Sequence, residues 1–170
     1  MGFDRQRSRV ITYAIEPLAA ARLDIEAILE RQWRETGEQG LDPSPLWSVY
    51  EELERRGGFL LVARRDGWFA GYLAAAIHRH INAYARVATI STYWVEPCPG
   101  RAFVLRGLLR AALAHLATLE VARVTVDTEA GHSAGRLLAV MGFREAKISY
   151  NLELPACGGH GGPIARFRDR

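Results

Sequence analysis

Apolar and polar positions alternate over residues 10–15, which predicts a short strand. Pro17 follows at a place where the first turn of a helix tolerates a missing N–H. Leu18, Ala21, Leu23, Ile25, Ile28, Leu29 and Trp33 then recur at helical spacing, Leu23 being the weakest fit, and Gly37 ends the pattern. After a loop carrying Pro43 and Pro45, residues 46–56 predict a second, shorter helix closed by Gly57 and Gly58.

Residues 59–63 read as a buried strand, Asp66-Gly67 as a tight hairpin turn, and residues 68–77 as the partner strand. A polar turn at 80–84 leads into residues 86–95, rich in β-branched and aromatic side chains, which Pro97, Pro99 and Gly100 break. A long helix over about 102–119 places Leu105, Leu108, Leu109, Ala112, Leu113 and Leu116 on one side. Residues 121–126 predict a strand, 133–141 a helix stopped at Gly142-Phe143, and 148–154 a last strand. The order β-α-α-β-β-β-α-β-α-β predicts an α/β (α+β) domain with a mixed, mostly antiparallel central sheet and helices on both faces. The long helix makes the strands it joins parallel neighbours. Residues 9–155 form this domain, between a polar leader at 1–8 and a flexible Gly- and Arg-rich tail at 156–170.

Composition narrows the class. With 170 residues, 49% hydrophobic and 24% charged, the chain suits one globular domain and excludes a collagen, a disordered tail or a small disulfide scaffold. No uncharged stretch approaches the ~20 residues of a membrane helix. The Arg-rich first nine residues lack the apolar segment of a secretory signal. With only Cys98 and Cys157 as cysteines, the expectation is a cytoplasmic protein without a membrane partner. The net charge is +3, and Lys147 is the one lysine among 22 basic residues. Two readings of that arginine excess stay open: a bias of base composition in the genome, or a use of the planar fork on phosphate, in a phosphorylated cofactor or a nucleic acid.

The run from Gly131 to Glu145, ending around Gly142-Phe143, resembles the short C-terminal helix and closing Gly-Phe pair of the GNAT (GCN5-related N-acetyltransferase) superfamily. Gly71 on the hairpin partner and the segment from Ile90 to Pro97 (ISTYWVEP) also fit that family, the latter resembling its central strand. The resemblance covers roughly residues 9–154. It implies an acyl-CoA-dependent N-acyltransferase with acetyl-CoA, or another acyl-CoA, as donor and a small-molecule or macromolecular amine as acceptor. In physical terms, a strand parts from its neighbour and a helix begins beside it, so that unpaired N–H groups and the helix dipole face a diphosphate. A backbone N–H near Val95 then stabilises the oxyanion formed when an amine attacks directly.

Two departures accompany the resemblance. The family loop reads Arg/Gln-x-x-Gly-x-Gly/Ala, whereas the matching positions here hold Gly100, Phe103 and Leu105, so the pyrophosphate loop is degenerate. The expected cofactor-binding set is Val95, Gly100, Arg101, Ala102, Phe103, Val104, Leu105 and Arg106, with Phe103 either filling the phosphate seat or turned into the core. Many relatives also carry a tyrosine acid on the C-terminal helix; that position is Leu138, and the family's frequent asparagine is Gly131.

Candidates for the proton transfers are His78 and His80, Glu96, Tyr93 and Asp127. Against each stands a structural reading. The histidines sit at a turn, Glu96 can cap the loop, and of Tyr93 and Trp94 one faces the cleft and the other the core. His78, His80 and Asp127 also match a two-His, one-carboxylate metal set if three segments converge, although no metal is expected. Trp33, Glu35, Trp47 and Tyr50 fall on helices that line the acceptor groove in this architecture, with the two tryptophans better explained as core. Two other readings remain: a divergent phage-type enzyme of this fold that modifies a nucleobase in DNA, as the Mom family does, and a non-catalytic binding protein. A homodimer is left open.

Overall fold

The computed structural model describes residues 10–36, 47–128 and 134–146. The predicted last strand, residues 129–133, the leader and the tail lie outside the described residues. Among these residues the element order is β1 (Ile11–Glu16), α1 (Leu18–Thr36), α2 (Trp47–Arg55), β2 (Phe59–Arg65), β3 (Trp68–Arg79), β4 (Arg86–Val95), α3 (Arg101–Thr118), β5 (Val121–Val126) and α4 (Ala134–Val140). The strands form one sheet in the order β1-β2-β3-β4-β5. All neighbours are antiparallel except β4 and β5, which the crossover through α3 makes parallel.

Side-chain alternation divides β2 between two cores. Phe59, Leu61 and Ala63 join Leu73, Ala75, Ala88 and Ile90 under α3 and α4, against Val104, Leu108, Leu109, Ala112, Leu116 and Leu138. Leu60 and Val62 point to the other face with Tyr72, Ala74 and Trp94, where Leu18, Ala21, Ile25 and Ile28 of α1 cover them. Leu23, the weakest member of the helical pattern, is 78% exposed. Each fully buried Leu or Ile contributes roughly 1.5–3 kcal/mol, whereas an exposed ion pair contributes about 0–1, so these two apolar layers hold the sheet in place.

Local devices set the angles. The Glu54 carboxylate of α2 accepts from the Leu18 N–H at 2.5 Å, placing a negative charge at the start of α1, whose own first turn has none. Gly71 lets β3 and β4 close on each other: a Cβ there would stand 2.6 Å from the Trp94 carbonyl oxygen and 2.9 Å from Val95 Cα. No helix among the described residues is long and apolar enough to cross a membrane.

Candidate active site

The site arises where β4 carries one residue too many. Ala75 pairs with Ile90 and Ala74 with Thr92, so Ser91 is a bulge with no counterpart on β3. The parallel pairing with β5 ends at the same point: Ile90 faces Val126, and the Asp127 N–H makes one more bond to the Ile90 carbonyl at 3.0 Å. From Thr92 to Val95, β4 remains paired to β3 while its other edge has no strand partner among the described residues. Two diverging strands therefore enclose a wedge, one wall of which is an edge of backbone donors and acceptors.

At the open end of the wedge α3 begins. Gly100 is its N-cap, at φ +85°, a conformation that glycine adopts without a Cβ penalty. The Arg101 N–H bonds back to Cys98 O at 3.1 Å and the Phe103 N–H to Gly100 O at 2.8 Å, while the Ala102 N–H has no backbone acceptor among the described residues. Phe103 is 74% exposed, so its ring neither joins the core nor replaces the backbone beneath it. Val104 is fully buried, its N–H already bonded to Gly100 O at 3.3 Å, and Leu105 packs against the same core. Both serve to anchor the helix by their side chains. Arg106 has a buried Nε with no hydrogen-bond partner among the described residues. Arg101 reaches across to α1, where Glu35 accepts its guanidinium at 2.6 Å.

The bulge also decides which face each aromatic residue takes. Tyr93 packs on the α3/α4 side, and its hydroxyl donates to Thr128 Oγ1 at 3.0 Å, spanning the gap between β4 and the chain leaving β5. Trp94 points to the α1 side and is 2% exposed. The Arg31 guanidinium lies 5.5 Å from its ring centroid, within cation–π range. Glu96 accepts both Arg31 amino groups, at 3.0 and 2.9 Å.

Asp127 stands at the apex of the wedge, exposed. The histidines do not approach it. His78 pairs with Val87 near the start of β4, three residues or roughly 10 Å of strand rise from Ile90, where Asp127 is bonded, and on the strand at the far side of β4 from Asp127. His80 lies beyond the strand end, where its Nδ1 accepts from the Asn82 N–H at 3.2 Å. Among the described residues no group of three His, Cys, Asp or Glu side chains is placed to hold a metal ion, and His78, His80 and Asp127 do not converge.

On the α1/α2 side, Trp47 and Tyr50 pack against the core beneath them, their ring centroids 5.7 Å apart, with the Arg22 guanidinium 4.8 Å above the Trp47 ring. Tyr72 donates to Gln32 Oε1 at 2.9 Å. Burial pushes the Tyr72 phenol well above its ordinary pKa, and the neighbouring Tyr50 adds to the rise while the Gln32 bond opposes it. A cleft of about 350 Å³ opens at the same end of the sheet, lined by Arg65, Asp66, Trp68, Phe69, Ala70, Glu96 and Cys98. Within it the Arg65 guanidinium donates to Cys98 Sγ at 3.2 Å. Arg31, Gln32, Arg65, Tyr72 and Thr128 were not apparent as site residues from the sequence, because each acquires its partner across 33 to 65 positions of chain.

The fold as a whole has counterparts among solved structures. A probable acetyltransferase superposes with a TM-score of 0.63 over 86% of this chain and 97% of its own, at 21% identity. The chain has the GNAT fold. The aminoglycoside N-acetyltransferase AAC(6')-Iy in complex with CoA superposes with a TM-score of 0.62, at 18% identity, over 88% of this chain and 97% of that one. The ribosomal-protein-alanine N-acetyltransferase from Brucella melitensis biovar Abortus 2308 gives 0.61 at 19% identity, over 85% and 99%. No protein-family model and no curated protein matches the sequence.

The residues at the wedge fit a CoA-type donor. The edge of β4 offers amide partners to an amide-bearing arm, and the Ala102 N–H at the start of α3 offers a donor for a phosphate oxygen. The partnerless Arg106 Nε is a further cationic donor near that helix start. The loop lacks the family's glycines, yet the exposed position of Phe103 leaves the backbone at Ala102 uncovered.

Proposed function

We propose that this protein is an N-acyltransferase that moves an acyl group, acetyl in the simplest case, from an acyl-CoA to an amine. The observation that carries the reading is the parting of β4 from β5 after Ile90 and Val126, directly beside the Gly100-capped start of α3. Acyl-CoA supplies an activated thioester carbonyl when bound. The chain's own residues do the rest. Gly100, Arg101, Ala102 and Arg106 hold the diphosphate, Phe103 flanks it, and Val104 and Leu105 fix the helix in the core. The free edge of β4, Val95 included, aligns the arm and directs backbone N–H groups at the carbonyl oxygen, stabilising the charge it gains under attack. The acceptor enters from the α1/α2 side, where the Glu96 carboxylate attracts a protonated amine and the Asp127 carboxylate at the wedge apex takes up a proton as the amine reacts. His78 and His80, at the far end of β4, have no part in this step.

The neighbours named above act on an aminoglycoside and on a ribosomal-protein alanine, which supports an amine as the acceptor class. Isothermal titration with acetyl-CoA tests the reading. Micromolar binding is the expected result, and no binding at millimolar ligand overturns it.

A further inference from the structure

The geometry points to Tyr93 as the acid that protonates the departing thiolate, held for the purpose by Thr128; this assignment rests on the acyltransfer reading above. When an amine nitrogen bonds to a thioester carbonyl carbon, the carbon–sulfur bond breaks and its electron pair goes to sulfur. The sulfur then needs a proton, and a phenol is suited to give one, because phenol and alkanethiol pKa values, about 10 and about 8.5, lie close together.

The position on α4 from which such a hydroxyl would be expected is Leu138, 7% exposed and part of the core beneath α3. It has no proton to give. Tyr93 belongs to the same layer, packed against the cluster that contains Leu138. Its hydroxyl, donating to Thr128 Oγ1 at 3.0 Å, lies across the wedge between the unpaired edge of β4 and the exit of β5. The other tyrosine packed against that cluster, Tyr13, is on β1 at the far edge of the sheet, its ring against Gly107 of α3. Ser and Thr hydroxyls are far weaker acids, and the histidines of the β3–β4 hairpin are at the wrong end of the strand. The strand that forms the wall of the wedge therefore supplies the acid.

Thr128 is the positioning residue: it accepts the phenolic hydrogen and holds the ring over the gap. In the reaction Tyr93 gives that hydrogen to sulfur, leaving CoA as the free thiol and Tyr93 as phenolate. The proton shed by the nitrogen passes to the exposed Asp127 carboxylate and through solvent back to the phenolate, so that charge and protons balance over one turnover.

The test compares two ligands in titration, CoA and desulfo-CoA, which lacks only the sulfur. The wild-type protein is expected to prefer CoA by about fivefold, the worth of one net hydrogen bond. Tyr93→Phe should abolish the preference while leaving desulfo-CoA affinity unchanged, and Thr128→Val should reduce it. Where an acceptor amine is in hand, Tyr93→Phe should also lower kcat without raising KM and remove the alkaline limb of the pH profile. An unchanged CoA to desulfo-CoA ratio in Tyr93→Phe overturns the assignment. Failure of the wild-type protein to bind either ligand is a different result, which overturns the acyl-CoA reading itself and the assignment with it.

Discussion

Arg101, the first residue of α3, and Glu35, near the end of α1, are joined by an ion pair of 2.6 Å that places a carboxylate beside the proposed diphosphate seat. Both side chains are partly exposed, so the pair itself contributes little to stability. Its larger effect is on what the guanidinium is free to bind: an incoming diphosphate must share Arg101 with Glu35 or displace it.

The two halves of this pair should therefore respond in opposite directions. Arg101→Glu is expected to weaken CoA binding at least tenfold, since it replaces a cation with an anion at a helix N-terminus. Glu35→Gln is expected to tighten binding by roughly two- to fivefold, the worth of a surface pair released. Titration with CoA checks both. Weakening by Glu35→Gln would mean that the carboxylate orients Arg101 rather than competing for it.

Gly107 of α3 and Tyr13 of β1 occupy one another's space: a Cβ on Gly107 would overlap the Tyr13 hydroxyl and ring. Gly107→Ala is expected to destabilise the fold by about 1–3 kcal/mol through overpacking, despite the helix propensity of alanine. Adding Tyr13→Ala should recover much of that loss, giving strong coupling in a urea-denaturation cycle. Additive effects would show that the ring moves aside at no cost.

The buried Tyr72 phenol makes stability sensitive to alkali. Its folded pKa is raised above the ordinary phenol value, mainly by burial. The native state thus keeps a proton that the unfolded chain gives up, and the contribution is fully present below about pH 10 and is lost as pH rises above it. The urea midpoint of the wild-type protein should fall between pH ~9 and ~11 more steeply than that of Tyr72→Phe. Parallel curves for the two proteins would contradict this.

Much of the architecture was legible in the sequence. β4 and β5 have the predicted bounds, Arg86–Val95 and Val121–Val126, because runs of β-branched and aromatic residues end there at prolines or charged turns. α1 stops at Thr36, one residue before the glycine that breaks its pattern. Bulges were not legible. Nothing in the identity of Ser91 or Ala70 announces that it is unpaired. The face taken by Tyr93 depended on that count: a regular strand through Ser91 would have turned Trp94 toward α3 instead. The spacing of His78 and His80 likewise placed them at a strand end without saying which end of the sheet it would be. Glu96 had its partner, Arg31, 65 positions away, beyond any local pattern. The predicted strand at 148–154 falls outside the described residues.

The surplus residue at Ser91 has one more consequence. A cavity built from particular side chains disappears when those side chains change, but this wedge is produced by a mismatch in strand length. Its existence is written in how many residues β4 has, and its chemistry in which residues they are. The two can thus change separately: a side chain lining the wedge can be exchanged without altering the residue count that holds the strands apart.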